Sequence, residues 1–352
     1  MYYNLLSVGS ALIKLGYIAI AILILMLMIT IHEFGHYIAG KILKFKINEF
    51  SIGFGKALYT KTKKNGEVFS IRLIPLGGYC AFEGEENETE SADSFNAQAP
   101  WKRLIVLFAG AFFNFVSAII FSVILLCVVG SGHMCVASVP NVDANPYIAT
   151  LQQGDVITHA NGEELSFFNG GIIGIAENIK DNTDITFTII RDGKTQDVVV
   201  QKYATMKDGK EVYAYGFTPA YVPLSFGNAL LESVPFSFEV AWQCLVVLGK
   251  LFIGEYGLEA VGGPVSTIGA IADAGAINVL NLLLYIPLIA VNLAVFNLLP
   301  IPALDGSKMV FVFIEWIRKK PINRDLENKI HMTGLMILFG FVILVELLHF
   351  IG

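Results

Sequence analysis

Residues 15–36 read LGYIAIAILILMLMITIHEFGH, an uncharged apolar run that ends in two histidines and an acid. A helix crosses the hydrocarbon core of a membrane with about 20 apolar residues. Residues 15–31 supply such a run, which is longer than the apolar region of a secretory leader, and no small-residue cleavage site precedes His32. The segment is therefore expected to stay in the protein as a helix. His32-Glu33-Phe34-Gly35-His36 is an HExxH pattern. On a helix, positions i and i+4 lie one above the other, so both imidazoles can reach one Zn²⁺ while Glu33 addresses a water on it. Ionisable groups inside a membrane helix are costly, and a metal ion compensates three of them at once.

The whole composition agrees with a membrane protein. Of 352 residues, 55% are apolar and only 15% charged. A net charge of -6 leaves no basic face for a nucleic acid, which excludes polynucleotide partners. Four cysteines occur without any CxxC pair; Cys127 and Cys244 lie in apolar stretches, and Cys80 and Cys135 in segments expected to face different compartments. Neither a disulfide framework nor a thiolate metal site follows, so a metal would take His and carboxylate ligands.

Three further apolar windows, 104–129, 274–304 and 332–350, bring the expected spans to four; the last contains Glu346 and His349 near its end. Lys and Arg crowd the loop between the first two spans, from Lys41 to Arg103, and the loop carrying Arg318, Lys319, Lys320, Arg324 and Lys329. Both loops are then cytoplasmic, and the termini and the long segment between spans two and three lie outside. That outer segment has alternating strands at 184–190 and 196–200, joined by Arg191-Asp192-Gly193-Lys194, with a second turn at Asn161-Gly162. It reads as a small, mainly β domain. The first cytoplasmic loop alternates at 50–54 and 68–73 around Asn65-Gly66, and Gly53, Gly55, Gly77 and Gly78 imply close backbone approach. Residues 83–93 are acidic and read as mobile. Residues 226–252 are interrupted by Glu232, Pro235, Glu239 and Lys250 and are read as an interfacial helix, with a fifth crossing as the competing reading.

Two histidines leave a catalytic zinc one protein ligand short. Asn297-Leu-Leu-Pro-Ile-Pro-Ala-Leu-Asp305-Gly306 closes the third span. Spans one and three both run from outside to inside, so Asp305 arrives at the same membrane face as His32 and His36. A helix-capping Asp beside Gly306 is the bland alternative.

HEFGH in a first span, GFG and PLGGY in the following loop, and NLLPIPALDG together resemble the site-2 protease family of intramembrane zinc metalloproteases. They most resemble its bacterial branch with a single extracytoplasmic PDZ domain. The resemblance covers nearly the whole chain and implies the following organisation: 1–40, first span with the HExxH motif; 41–103, cytoplasmic or membrane-reentrant β loop; 104–130, second span; 131–220, PDZ-like extracytoplasmic domain; 221–276, amphipathic interfacial region; 277–305, third span with LDG; 306–330, cytoplasmic loop; 331–352, fourth span. The fold class is thus a polytopic α-helical membrane protein with a membrane-associated β-sheet loop and an inserted PDZ-like α+β domain.

The resemblance also implies one Zn²⁺ held by His32, His36 and Asp305, with Glu33 as general base. It makes Asn114 and Asn297 clamps for an unwound substrate, and Gly53, Phe54 and Gly55 part of the substrate-binding loop. Its substrates would be single-span membrane proteins in a bacterial inner membrane, cut after a first extracytoplasmic cleavage, with the PDZ-like domain acting as a size filter. Leu151-Gln-Gln-Gly154-Asp155-Val-Ile carries the PDZ likeness, but no clear carboxylate-binding loop is found at 141–147. Ala111 follows Gly110 where relatives usually have proline. Intramembrane His, Glu and Asp also suit two other functions. A metal or proton transporter would predict internal repeats, and none is seen; an inactive PDZ scaffold has no use for an intact HExxH and LDG.

Overall fold

A computed structural model describes residues 2–85, 93–130, 132–139, 150–165, 184–201, 203–207, 210–214, 216–258 and 261–351. The positions 141–147 and most of the acidic stretch after Glu85 lie outside the described residues. The chain divides into two units, Met1–Ser122 with Val234–Gly352, and Val123–Ser233.

The helices are α1 (Tyr2–Ile42), α2 (Pro100–Val128), α3 (Phe226–Phe252), α4 (Pro264–Ile277), α5 (Asn281–Leu298), α6 (Asp305–Arg318) and α7 (Arg324–Ile351). Among the described residues, five are long and apolar enough to cross a membrane: Leu12–Ile42, Pro100–Val128, Phe226–Phe252, Asn281–Leu298 and Arg324–Phe350. Four overlie the apolar windows. The fifth is α3, which stays one helix through Pro235 and has the length that the competing reading of its segment requires.

The window 274–304 is not a single helix. Asn278 stops α4: its side chain accepts the Leu280 N–H at 3.0 Å, and Asn281 bonds back to the Ala274 carbonyl at 3.1 Å. Two polar side chains that satisfy local backbone groups offer an alternative to continuing the helix. α5 then ends at Leu298, shortly before Pro300. α1 ends instead in a left-handed cap, with Lys44 at φ 63° and the Phe45 N–H on the Gly40 carbonyl at 2.8 Å.

After α1 come β1 (Ile47–Thr62) and β2 (Val68–Phe82), much longer than the strands expected at 50–54 and 68–73. Both bend, so the two strands make four ribbons. The start of β1 pairs antiparallel with the end of β2, from Ile47↔Phe82 to Ile52↔Gly78, and on its other side with the start of β2, where the register rises together from Glu49↔Val68 to Ile52↔Ile71. The start of β2 also pairs with the end of β1, from Ala57↔Arg72 to Thr62↔Val68. The order across the sheet is 78–82, 47–52, 68–72, 57–62. Gly53 and Gly55, at φ 85° and 81°, make the bend in β1; a Cβ on Gly53 would lie 2.7 Å from the Ile74 carbonyl oxygen. No further strand pairs with the outer edge of 78–82 among the described residues.

The sheet is fastened to α1 by Glu67, which is fully buried and accepts from Tyr37 Oη at 2.9 Å and Lys63 Nζ at 2.7 Å, with Lys41 as a third partner. Burial pushes the Glu67 pKa up, but these partners outweigh it and hold it at about 2. Beside it, Phe45, Ile47 and Phe82 pack with Val106 and Leu107 of α2 and Val312 of α6 in one apolar cluster.

The second unit contains β3 (Met134–Ser138), β4 (Val156–Ala160), β5 (Glu163–Glu164), β6 (Asp184–Arg191), β7 (Lys194–Gln201), β8 (Tyr203–Lys207), β9 (Lys210–Ala214) and β10 (Thr218–Tyr221). One sheet has the order β10-β3-β4-β6-β7, with β5 beside β4, and β8 pairs β9 separately. Val136, Ile157, Ile185, Phe187, Ile189 and Val200 form its core. Both expected turns are present with positive φ at both central residues, Asp192-Gly193 at 51° and 75° and Asn161-Gly162 at 50° and 83°.

Asp155, buried in this unit, accepts from Arg191 Nε at 2.7 Å, Arg191 Nη2 at 2.6 Å and the Gln152 N–H at 2.7 Å. Burial raises its pKa, yet these donors outweigh it and hold it below the ordinary carboxylate range. A depressed folded pKa contributes stability above the unfolded value, about 3.9, which is lost as pH falls through the folded value. We expect Asp155→Asn to destabilise this unit by about 2 kcal/mol, measured as faster hydrogen exchange in β4 and β6. The wild type should approach the variant when the pH drops below about 4.

Candidate metal centre

The break after α5 turns the chain so that Asp305 opens α6. Ala303 takes φ 80°, a strained value for a residue with a side chain, and its N–H bonds His331 Nδ1 at 3.2 Å. Gly306 is required here because a Cβ would lie 2.3 Å from the Leu299 carbonyl oxygen. At the first turn of a helix, the Asp305 carboxylate also meets the favourable end of the helix dipole.

Asp305 Oδ2 lies 2.9 Å from His32 Nε2 and 3.2 Å from His36 Nε2, and the two imidazole Nε2 atoms are 3.1 Å apart. Both histidines are 7% exposed. Of all groups of His, Cys, Asp and Glu among the described residues, these three alone are close enough to share an ion.

The ring nitrogens can be assigned. His36 Nδ1 lies 2.8 Å from the Val106 carbonyl, which can only accept, so Nδ1 carries the proton and Nε2 presents a lone pair to the centre. His32 Nδ1 faces the amide of Asn114 at 3.4 Å, and Asn114 is fully buried with no partner for its oxygen among the described residues. With that oxygen turned to the ring, it accepts from Nδ1–H and frees His32 Nε2 in the same sense. Two lone pairs and a carboxylate facing one another at about 3 Å repel unless a proton or a metal ion lies between them. Ligands about 2.0–2.1 Å from a tetrahedral Zn²⁺ stand about 3.3–3.4 Å apart, with the fourth position left for water. The donor set fits that ion.

Gly110 completes the cradle. A Cβ on it would lie 2.5 Å from His36 Nε2 and 2.7 Å from His32 Cε1, and one on Gly35 would lie 2.4 Å from the Ala109 carbonyl oxygen. α1 and α2 can approach this closely only through two glycines. An interior helix glycine costs about 1 kcal/mol against alanine, which is the one sequence signal that could have singled out Gly110.

Two cavities reach the centre. One of about 700 Å³ is lined by Glu33, His36, Tyr79, Cys80, Asp305 and Lys308, among others. A smaller one, about 290 Å³, is lined by His32, Glu33, Asn297 and Asp305. Glu33 borders both, and its Cγ would lie 3.8 Å from a Cβ on Gly78. The free edge of 78–82 therefore runs past Glu33.

The other expected site residues are placed differently. Asn114, expected as a substrate clamp, is fully buried beside His32 Nδ1. Asn297 does border the smaller cavity, with its Nδ2 on the Leu293 carbonyl at 2.9 Å. Gly53 and Gly55 form the bend of β1 and line neither cavity; Phe54 is half-exposed and stacks on Tyr79 with ring centres 6.2 Å apart. Glu346 accepts from the Val265 and Ser266 N–H groups at 2.6 and 3.2 Å and caps α4.

The profile of Peptidase family M50 matches residues 20–341. The chain belongs to peptidase family M50. A protein of Fusobacterium nucleatum, provisionally named a zinc metalloprotease, is 30% identical over 339 residues, covering 93% of this chain and 96% of its own. Similarly named proteins of Clostridium perfringens and Helicobacter pylori are 31% and 29% identical, each over 94% of this chain and 97% and 96% of theirs. The match to the M50 peptidases thus spans the HEFGH and NLLPIPALDG segments together.

Removing the hydrogen bond to His32 should loosen the metal without moving the helices. We expect Asn114→Leu to weaken zinc binding by about 10–100-fold. Gly110→Ala, which puts a methyl between the imidazoles, should abolish stoichiometric zinc. Both are read by metal content after dialysis against graded chelator.

Proposed function

We propose that this protein, a multi-pass membrane zinc metalloprotease by its family, cleaves transmembrane segments of single-span membrane proteins after an earlier cut outside the membrane. The observation that carries the reading is the convergence of His32, His36 and Asp305 at a cavity bordered by Glu33. His32, His36 and Asp305 would hold the zinc, which when bound polarises a carbonyl and acidifies a water.

Glu33 lies where it can take the proton of the attacking water and later deliver it to the departing amine nitrogen. Asn114 and the Val106 carbonyl keep the two imidazoles oriented. Asn297, beside the smaller cavity, would hold a substrate carbonyl.

A peptide bond inside a helix is shielded, so the substrate must unwind, and its freed N–H and C=O groups need partners that lipid does not supply. Within the sheet, residues 50–52 and 68–71 are paired on both sides. The unpaired edge beside Glu33 is 78–82, and strand addition there would satisfy the substrate backbone and lay it along the metal. Phe54, stacked on Tyr79, would add an apolar contact. We read the unit Val123–Ser233 as the PDZ-like extracytoplasmic domain that filters substrates by size, and the centre as lying near the cytoplasmic face of a bacterial inner membrane.

A transporter of metal or protons would use the same buried charges but has no need for a cavity-lining glutamate beside an extended strand, and a scaffold has no need for the metal. Purified Glu33→Gln should keep one zinc and lose about 10²–10⁴-fold in cleavage rate, while Asp305→Ala should lose both metal and activity; stoichiometric zinc in the Asp305 variant would remove that residue from the ligands. Strand addition is tested separately with N-methylated peptide substrates. N-methyl groups at alternate residues should raise KM at least about tenfold and at the intervening residues have little effect, since outward N–H groups recur with a period of two. Equal effects at all positions would discard the edge-strand mode.

A further inference from the structure

The wall of the larger cavity contains a cation that the chemistry above does not use. Lys308 lies one helical turn past Asp305 on α6, and its Nζ donates to Glu85 Oε1 at 2.7 Å. Glu85 comes just after β2, on the outgoing end of the strand whose free edge passes Glu33. Lys308 and Glu85 both line the 700 Å³ cavity, and both line a neighbouring one of about 470 Å³ with Arg103 and His331. The ion pair is therefore part of the partition between the two.

The backbone at Glu85 is held from its own loop, with Asn96 Nδ2 on the Gly84 carbonyl at 2.5 Å. α6 is held at its far end by Glu315, which pairs with Arg103 of α2 and Arg324 of α7. At its near end, where Asp305 sits, Lys308 ties α6 by an ion pair to Glu85 beyond the end of β2, next to the apolar packing of Met309 and Val312 in the Phe82 cluster. The pair is partly buried, with side chains 36% and 19% exposed, so it is screened less than a surface pair. Catalytic geometry tolerates little slack, since a misplacement of about 1 Å can cost about 10²-fold.

We propose that Lys308 is a positioning residue: its ion pair with Glu85 fastens the strand edge that would receive substrate to the helix that carries Asp305. The proposal rests on the protease reading, because it assigns both parts the roles given there. Lys308 would then act through Glu85, and what matters is that opposite charges meet at these two positions, not which residue carries which.

The test uses full-length protein in lipid nanodiscs, with zinc affinity of the metal-stripped protein measured by chelator competition, and kcat and KM measured on a transmembrane peptide. Lys308→Met and Glu85→Gln should each lower kcat and zinc affinity by similar factors, about 10–100-fold, with KM changed less. Lys308→Arg should stay near wild type, and Lys308→Glu combined with Glu85→Lys should recover most of what Lys308→Glu alone loses. A harmless Glu85→Gln beside a damaging Lys308→Met would mean that the lysine acts directly on substrate, which overturns the proposal, as would wild-type values in both single variants. Should the charge-reversal variants fail to fold, the Met, Arg and Gln variants decide alone. A wild type without zinc or cleavage sinks the protease reading itself, a result distinct from any of these.

Discussion

Two imidazoles and a carboxylate face each other within 3.2 Å inside an apolar bundle, an arrangement that a shared proton or a metal ion between them makes favourable. Much of the surrounding architecture keeps these three groups at that spacing. Gly35 and Gly110 let α1 and α2 approach until the imidazoles meet backbone. The strained Ala303 and the crowded Gly306 bring Asp305 in from a sequence distance of 273 residues.

The sheet beside the centre handles a different constraint. An unwound membrane segment exposes backbone groups that hydrocarbon cannot satisfy, and the protein offers an extended edge where such a segment would lie. That edge exists because β1 and β2 both bend. The fold sets a polar, hydrogen-bonding rail against an acid and a metal site while the helices around them stay apolar.

The unit Val123–Ser233 has its own sheet, its own apolar core and an internal ion pair between Asp155 and Arg191. A module of that kind can select what reaches a membrane enzyme without contributing to the chemistry, which is the role proposed for it.

The helical periods, the HExxH spacing and the NLLPIPALDG segment were readable because each is local: the positions of His32, Glu33 and His36 on one helix follow from 3.6 residues per turn, and the two Xaa-Gly turns from the backbone freedom of glycine. What covers His32 was not readable, nor was the importance of Gly110, since both depend on which helix packs on which. The strands were recognised but their course was not, because bends at Gly53, Gly55 and Gly77 reassign which edge is free. By itself the sequence determined the class of protein and singled out His32, His36 and Asp305, the three groups that the structure brings together. Only the tertiary structure decided that Asn114 lies against His32, that 78–82 is the open edge, and that Lys308 meets Glu85, because contacts between residues distant in the chain depend on how the helices and strands pack.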